Sequence, residues 1–239
     1  MPVDAIILAG GRSSRLGGVA KASLLHDGRT LLQLAIEAAR LTDGAIVVVG
    51  PDVETTGPVR FVREHPAFGG PAAAIAAGLD VLREPGSLPS LGRSRGVAIL
   101  ACDMPGAAPA LAVLLETAAL ATDPEPGVDG WIAVDAGGRD QPLLGVYRSD
   151  ALERRVAELE AAQPSGDLTG VAVRHLLSGL ELRRVAVPEG GSADVDTWAD
   201  AAELGVVASD APFPTPATGP APTSTTTTTS STPRSSHDR

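Results

Sequence analysis

The sequence predicts an α/β protein: one domain on a mostly parallel central sheet with helices on both faces, followed by a disordered C-terminal tail. Three observations predict it. Short apolar runs rich in β-branched residues alternate along the chain with segments that carry apolar residues at helical spacing, the pattern of strands joined by crossover helices. Several of those runs are apolar throughout, as strands buried on both faces are. From Ser209 onward the composition turns to Pro, Thr and Ser and offers almost nothing to bury. The folded domain is therefore expected over 1–208 and the tail over 209–239.

The elements follow in order. Ala5-Ile6-Ile7-Leu8 is a buried strand that ends abruptly in paired glycines. Thr30 to Leu41 carries strong helix formers with an apolar face. Ala45 to Val49 reads as a second strand, stopped by Gly50-Pro51, and Val59 to Val62 as a brief third. Pro71 to about Arg83 is a helix with Pro at its first position, where the missing N–H costs nothing. Val97 to Ala101 is a fourth strand, and Ala108 to Ala121 the helix after it. Strands are expected around 131–134 and 142–147, helices near 151–161 and 171–177, a late strand over 182–187 and a closing helix over 197–204.

Composition narrows the function classes. The chain has 239 residues, 44% of them hydrophobic, with only three Phe, two Trp and one Tyr, so the core must be built of Ala, Leu and Val. A formal net charge of −10 argues against a nucleic-acid surface, which needs a basic face. The single Cys102 excludes an internal disulfide, and no Cys/His cluster offers a zinc site. No apolar run approaches the ~20 residues of a membrane span, and the first residues do not show the charged stretch followed by an apolar run that a secretory leader is expected to carry. A soluble cytoplasmic protein, monomeric or weakly oligomeric, is the expectation.

Four segments carry chemistry. The loop Gly10-Gly11-Arg12-Ser13-Ser14-Arg15-Leu16-Gly17-Gly18-Val19-Ala20-Lys21 joins main-chain N–H groups freed by glycine to three cations, a concave anion site suited to a polyphosphate. It is neither a P-loop, because Lys21 follows Ala20, nor a dinucleotide fingerprint, because Gly10-Gly11-Arg12 breaks the spacing. Asp103, in Cys102-Asp103-Met104-Pro105, stands at the end of a strand, placed either to hold Mg²⁺ or to cap the helix that follows. Cys102 reads as a small core filler. Gly69-Gly70-Pro71 is a turn into a helix with no Cβ to obstruct a flat ligand. Asp194-Val195-Asp196-Thr197 puts two carboxylates on one side of an extended segment, with Thr197 as a helix N-cap; these are a cation pair or an acidic helix start. In open parallel sheets ligands bind beyond the carboxyl ends of the strands, where the first three segments fall.

Leu8-Ala9-Gly10-Gly11, Arg15-Leu16-Gly17 and Lys21 resemble the signature L-A-G-G-x-x-x-R-[ML]-G…K of nucleotidyltransferases that use a nucleoside triphosphate. Within them, the chain resembles the molybdenum cofactor guanylyltransferases, the MobA-like proteins. Ala101 to Pro105 resembles their [AG]-x-D-[ML]-P, Gly69-Gly70-Pro71 their G-G-P, Asp194 to Asp200 their late [ND]-x-[ND]-T element, and Asp140-Gln141-Pro142-Leu143 a segment ending Q-P-L. The likeness covers roughly residues 4–204. Ala20 departs from it, since an acidic residue often precedes the lysine. His65, preceded by Glu64, stands where the family commonly has an acidic residue.

The resemblance implies a Rossmann-like three-layer nucleotidyltransferase (GT-A-like) fold. It implies transfer of GMP from GTP to molybdopterin with release of pyrophosphate, and molybdoenzymes or cofactor-insertion proteins as further partners. Lys21, Arg15 and Asp103 would be catalytic; Leu8, Ala9, Gly10, Gly11, Arg15, Lys21, Gly69 and Gly70 would bind the nucleotide. Asp103 and Asp196, with Asp194 beside them, would hold Mg²⁺, and Asp140 and Gln141 would face the acceptor. Other readings are cytidylyl or other nucleotidyl transfer on the same fold, and a nucleotide-binding accessory protein without turnover.

Overall fold

The computed structural model describes residues 2–11, 13–53, 55, 57–84, 95–121 and 127–209. Of the expected tail only Ser209 is among them; 210–239 lie outside the described residues. The strands are β1 (Val3–Leu8), β2 (Leu25–His26), β3 (Arg29–Thr30), β4 (Ile46–Val49), β5 (Arg60–Val62), β6 (Gly96–Ala101), β7 (Gly130–Val134), β8 (Asp140–Arg148), β9 (Leu182–Ala186) and β10 (Val206–Val207). The helices are α1 (Leu31–Ala39), α2 (Pro71–Arg83), α3 (Ala107–Leu120), α4 (Ser149–Ala162), α5 (Val173–Leu177) and α6 (Trp198–Glu203).

Seven strands form the central sheet in the order β5-β4-β1-β6-β8-β7-β9. All are parallel except β8, which runs against both β6 and β7. The reason lies in the link before it. A parallel crossover needs a dozen or more residues, and only 135–139 separate β7 from β8, so the pair closes as a hairpin. Asp135 turns the corner: its backbone N–H donates to the Arg139 carbonyl at 3.0 Å and its carboxylate accepts the Arg139 amide at 2.9 Å.

The sheet is buried on both faces. Ala5, Ile7, Val48, Ala98 and Leu100 point into one core under α1 and α3, while Ile6, Leu8, Val47, Val49, Val97 and Ile99 point into the other under α2, α4 and α5. Alternation along each strand divides the apolar run between the two layers. Each fully buried Ile or Leu contributes about 1.5–3 kcal/mol through removal of its surface from water. The helices start where their capping chemistry permits. Thr30 and Gln33 form a reciprocal capping box at α1, and Pro71 takes the first position of α2. Among the described residues no helix is long and apolar enough to cross a membrane.

A second, three-stranded sheet of order β10-β2-β3 was not expected. It lies beside a third small core of Leu16, Leu24, Leu31, Val195, Ala201 and Val206. Its hairpin turns at Asp27-Gly28, both with positive φ, the geometry of a two-residue hairpin loop.

Candidate active site

Register brings the chemistry to one rim. Leu8 at the end of β1 pairs with Ala101 at the end of β6, and the Cys102 amide donates to the Leu8 carbonyl at 3.0 Å. The glycine loop and the Asp103 loop therefore leave the sheet side by side. Gly11 adopts φ +145 and Gly70 φ +97, regions in which a side chain would be strained, so both turns depend on glycine.

Apolar anchors alternate with the polar groups of the long first loop. Leu16 is buried in the third core while Arg15, immediately before it, stays 72% exposed along its side chain. Ala22 is buried directly after Lys21, which opens a short 3₁₀ turn. At Ala20 the backbone carbonyl receives the Ser23 amide at 2.9 Å and the Ser23 hydroxyl at 2.7 Å. That position thus holds the Lys21 turn through its main chain.

Before α6 the same device recurs. Val195 is fully buried and its amide donates to the Asp103 carbonyl at 3.0 Å, which fixes the loop against the end of β6. Thr197 caps α6, and Asp200 reaches back to accept from the Asp196 amide at 3.1 Å, the Thr197 amide at 2.7 Å and the Thr197 hydroxyl at 2.9 Å. These hydrogen bonds, the Thr197 hydroxyl first, hold the Asp200 carboxyl below the usual carboxylate range. Asp194 and Asp196 flank Val195 on one side of the strand-like segment.

The result is a charged knot. Lys21 Nζ donates to Asp103 Oδ2 at 2.7 Å and to Asp196 Oδ1 at 2.5 Å, and Arg15 lies 3.3 Å from Asp196 Oδ2. Partial burial works to lower the Lys21 pKa, but the charge of Asp103 and the hydrogen bonds that Lys21 donates to both carboxylates outweigh it, and the net shift is upward. Lys21 is an ammonium at neutral pH. Asp103, Asp194 and Asp196 each offer a carboxylate oxygen within 4.8 Å of the others. Lost hydration, then the charges of Asp103 and Asp196, raise the Asp194 carboxyl above its ordinary value. Three hard oxygen donors so close together fit a hard divalent cation.

Asp103 does not cap α3. The N-cap there is Gly106, with no side-chain cap bond. Burial first, then the adjacent Asp103 charge, pushes the Cys102 thiol far up, so it stays a neutral core group.

Beside the knot opens a cleft of about 280 Å³. Gly10, Gly11, Lys21 and Asp103 form one side of its lining, and Glu64, Phe68, Gly70, Pro71 and Ala74 contribute from the loop and first turns of α2. Leu8, Ala101, Cys102 and Leu143 complete it.

The comparisons with known proteins point the same way. Residues 5–185 match the family described as the MobA-like NTP transferase domain. The chain belongs to that family. A molybdenum cofactor guanylyltransferase of Pseudomonas aeruginosa (strain LESB58) is 31% identical over 193 residues, covering 79% of this chain and 86% of the relative. The relative of the same name from Pseudomonas syringae is 31% identical over 170 residues, 70% of this chain and 75% of its own length. Among solved structures, the molybdopterin-guanine dinucleotide biosynthesis protein A of Archaeoglobus fulgidus superposes with a TM-score of 0.57 at 19% identity, covering 84% of this chain and 96% of that one. A nucleotidyl transferase of Methanothermobacter thermautotroptrophicus gives 0.60 at 19% identity over 85% and 95% of the two chains. The MobA-like domain has the nucleotidyltransferase fold and is a nucleotidyltransferase.

Within this MobA-like domain, Lys21, Arg15, Asp103, Asp194 and Asp196 come together, and Leu8, Gly10, Gly11 and Gly70 line the adjoining cleft. Ala9 is buried beneath the glycine turn, and Gly69 packs against Ala73 at the start of α2. Asp140 and Gln141 are not among the cleft-lining residues. Arg184 Nε donates to Asp140 Oδ1 at 2.7 Å, and Gln141 Nε2 donates to Asp135 Oδ2 at 3.1 Å. From β8 it is Leu143 that reaches the cleft. Two cleft-lining residues were not among the site residues expected from the sequence. Glu64, not His65, supplies the carboxylate: its Oε1 would lie 3.8 Å from a Cβ placed on Gly10. Phe68 is the other.

Proposed function

We propose that this chain is a molybdenum cofactor guanylyltransferase, transferring GMP from GTP to molybdopterin. A phosphate oxygen of molybdopterin attacks the α-phosphorus of GTP, the bond from the α-phosphorus to its bridging oxygen breaks, and pyrophosphate leaves with that oxygen. The observation that carries the reading is the meeting of Lys21, Asp103 and Asp196 at a cleft floored by the Gly10-Gly11 turn, in a chain with 31% identity to guanylyltransferases.

The attacking phosphate is already anionic, so the step calls for positioning and neutralisation of charge more than for a base. The Gly10 and Gly11 amides with Arg15 would hold the departing pyrophosphate, with Leu8, Ala9, Gly69 and Gly70 shaping the nucleotide site. Lys21 would leave its carboxylates to meet the α-phosphate. Asp103 and Asp196, with Asp194 as the third donor, would hold Mg²⁺, which when bound would supply positive charge against the phosphates of the substrate. Asp140 and Gln141 would meet the acceptor beyond the cleft, on the side of Leu143. The domain would end near residue 208, because β10 (Val206–Val207) still pairs with β2. A cytoplasmic enzyme accords with these substrates.

The test is to incubate the protein with Mg²⁺, molybdopterin and each of the four triphosphates and to measure pyrophosphate release. Release selective for GTP is the expected result. Release selective for CTP would overturn the guanylyl assignment while leaving nucleotidyl transfer intact.

A further inference from the structure

Five large apolar side chains are exposed among the described residues: Leu41, Phe68, Leu120, Trp198 and Val207. Of these only Phe68 lines the cleft. In a chain with three Phe, one is held at the mouth of the candidate active site with 53% of its surface exposed.

The backbone at that point makes the placement informative. Phe68 has φ +64, a left-handed conformation in which a bulky residue is an outlier and glycine is at ease. Glycines stand immediately after it, at 69 and 70, so the loop has no shortage of residues suited to such a turn. Strain of this kind persists where the surrounding structure over-determines it, and it concentrates at ligand sites. Here the Phe68 amide donates to Glu64 Oε1 at 3.0 Å. The main chain that carries the ring is thereby tied to the carboxylate beside Gly10.

We infer that Phe68 is a specificity-determining residue: its ring is the stacking face for the purine base of the donor nucleotide. A triphosphate seated on the Gly10-Gly11 turn and Lys21 extends its nucleoside toward the Glu64–Phe68 side, where Gly70 leaves space for a flat group. Every base presents a π-face, and a purine covers more of a phenyl ring than a pyrimidine does. The inference deepens the guanylyltransferase reading and rests on it for the choice of base.

The decisive variant is Phe68→Gly, because glycine suits φ +64 and removes the ring without disturbing the turn. Wild type is first titrated with all four triphosphates, so that failure of the guanylyl reading shows itself as another preferred base; the variant is then measured with whichever triphosphate wild type prefers. Expected for Phe68→Gly are an unchanged or higher Tm, a Kd and KM for GTP raised about tenfold with kcat within twofold, and unaltered binding of inorganic tripolyphosphate, which has no base. Phe68→Trp is expected to restore the affinity. GTP affinity within twofold of wild type in Phe68→Gly would overturn the inference. So would an equal loss for tripolyphosphate, or a change confined to the KM for molybdopterin.

Discussion

Lys21 Nζ lies 2.7 Å from Asp103 Oδ2 and, by the same ammonium, closes onto Asp196 from the loop before α6. Lys21, with Arg15 beside Asp196, offsets part of the charge of three gathered carboxylates. Replacing it has two separable consequences. Lys21→Ala is expected to lower turnover about 10²–10³-fold, the scale for removing a charge-stabilising donor from a reacting centre. The same variant should bind Mn²⁺ more tightly than wild type when nucleotide is absent, because Asp103 and Asp196 lose the ammonium they share. Paramagnetic resonance of free Mn²⁺ measures the second effect; weaker binding would contradict it.

Asp103 has no capping duty at α3, so a change there bears on the charged site alone. Asp103→Asn should cut pyrophosphate release at least 10²-fold and shift the Mg²⁺ concentration needed for half-maximal rate upward, with little change in Tm. A Mg²⁺ titration identical to that of wild type would remove Asp103 from the metal set.

Glu64 and His65 are neighbours with different prospects. Glu64 faces Gly10 and lines the cleft; His65 does not line it. Glu64→Gln is expected to raise the KM for GTP severalfold with kcat nearly unchanged, whereas His65→Ala should leave both near wild type. Steady-state kinetics with GTP varied at saturating molybdopterin distinguishes them, and the reverse ranking would contradict the assignment.

The contrast shows what a linear chain reveals. The ends of β1 and β6 are legible because apolar runs stop at Gly-Gly and at Asp-Met-Pro, and a parallel register then puts both stops on one rim. The expected helix over 71–83 coincides with α2 because Pro71 and the residues around Glu84 punctuate it. The strand direction of β8 is set by a five-residue link rather than by anything in the strand itself. Two-residue strands such as β2, β3 and β10 carry no periodicity, and Asp27-Gly28 was their one local sign. Glu64 and Phe68 were hidden for a different reason. Which side chain of 64–68 faces the cleft depends on a left-handed turn at a phenylalanine, and no residue-type preference announces such a turn.

Asp194 offers a pH-dependent test. Its folded-state carboxyl holds a proton more readily than in the unfolded chain, so its charge opposes folding once pH rises above the unfolded carboxylate range near ~4. Asp194→Asn should therefore raise the Tm of the metal-free protein by about 1–2 °C at pH 7 and leave it unchanged near pH 3. The same change should weaken Mn²⁺ binding to the nucleotide-loaded protein about tenfold if Asp194 is the third donor. Thermal unfolding across pH with calorimetric Mn²⁺ titration reads both, and a lower Tm at pH 7 would show that Asp194 is held by favourable contacts instead.

Asp200 acts at one remove from the site, through the backbone of Asp196 and Thr197. Its lowered pKa gives the opposite sign to Asp194: the stability it contributes is present above the unfolded carboxylate value and is lost as pH falls through the folded one. Asp200→Ala should lower Tm by a few degrees at pH 7, with the difference from wild type shrinking below about pH 4. Without the capping box, the segment carrying Asp196 loses the bonds that fix its start against Lys21. A severalfold rise in the Mg²⁺ requirement for pyrophosphate release is therefore expected, and Asp200→Glu, which can partly rebuild the cap, should recover part of it. A Tm loss with an unchanged Mg²⁺ requirement would confine Asp200 to holding α6 and would show that Lys21 and Val195 suffice to place Asp196.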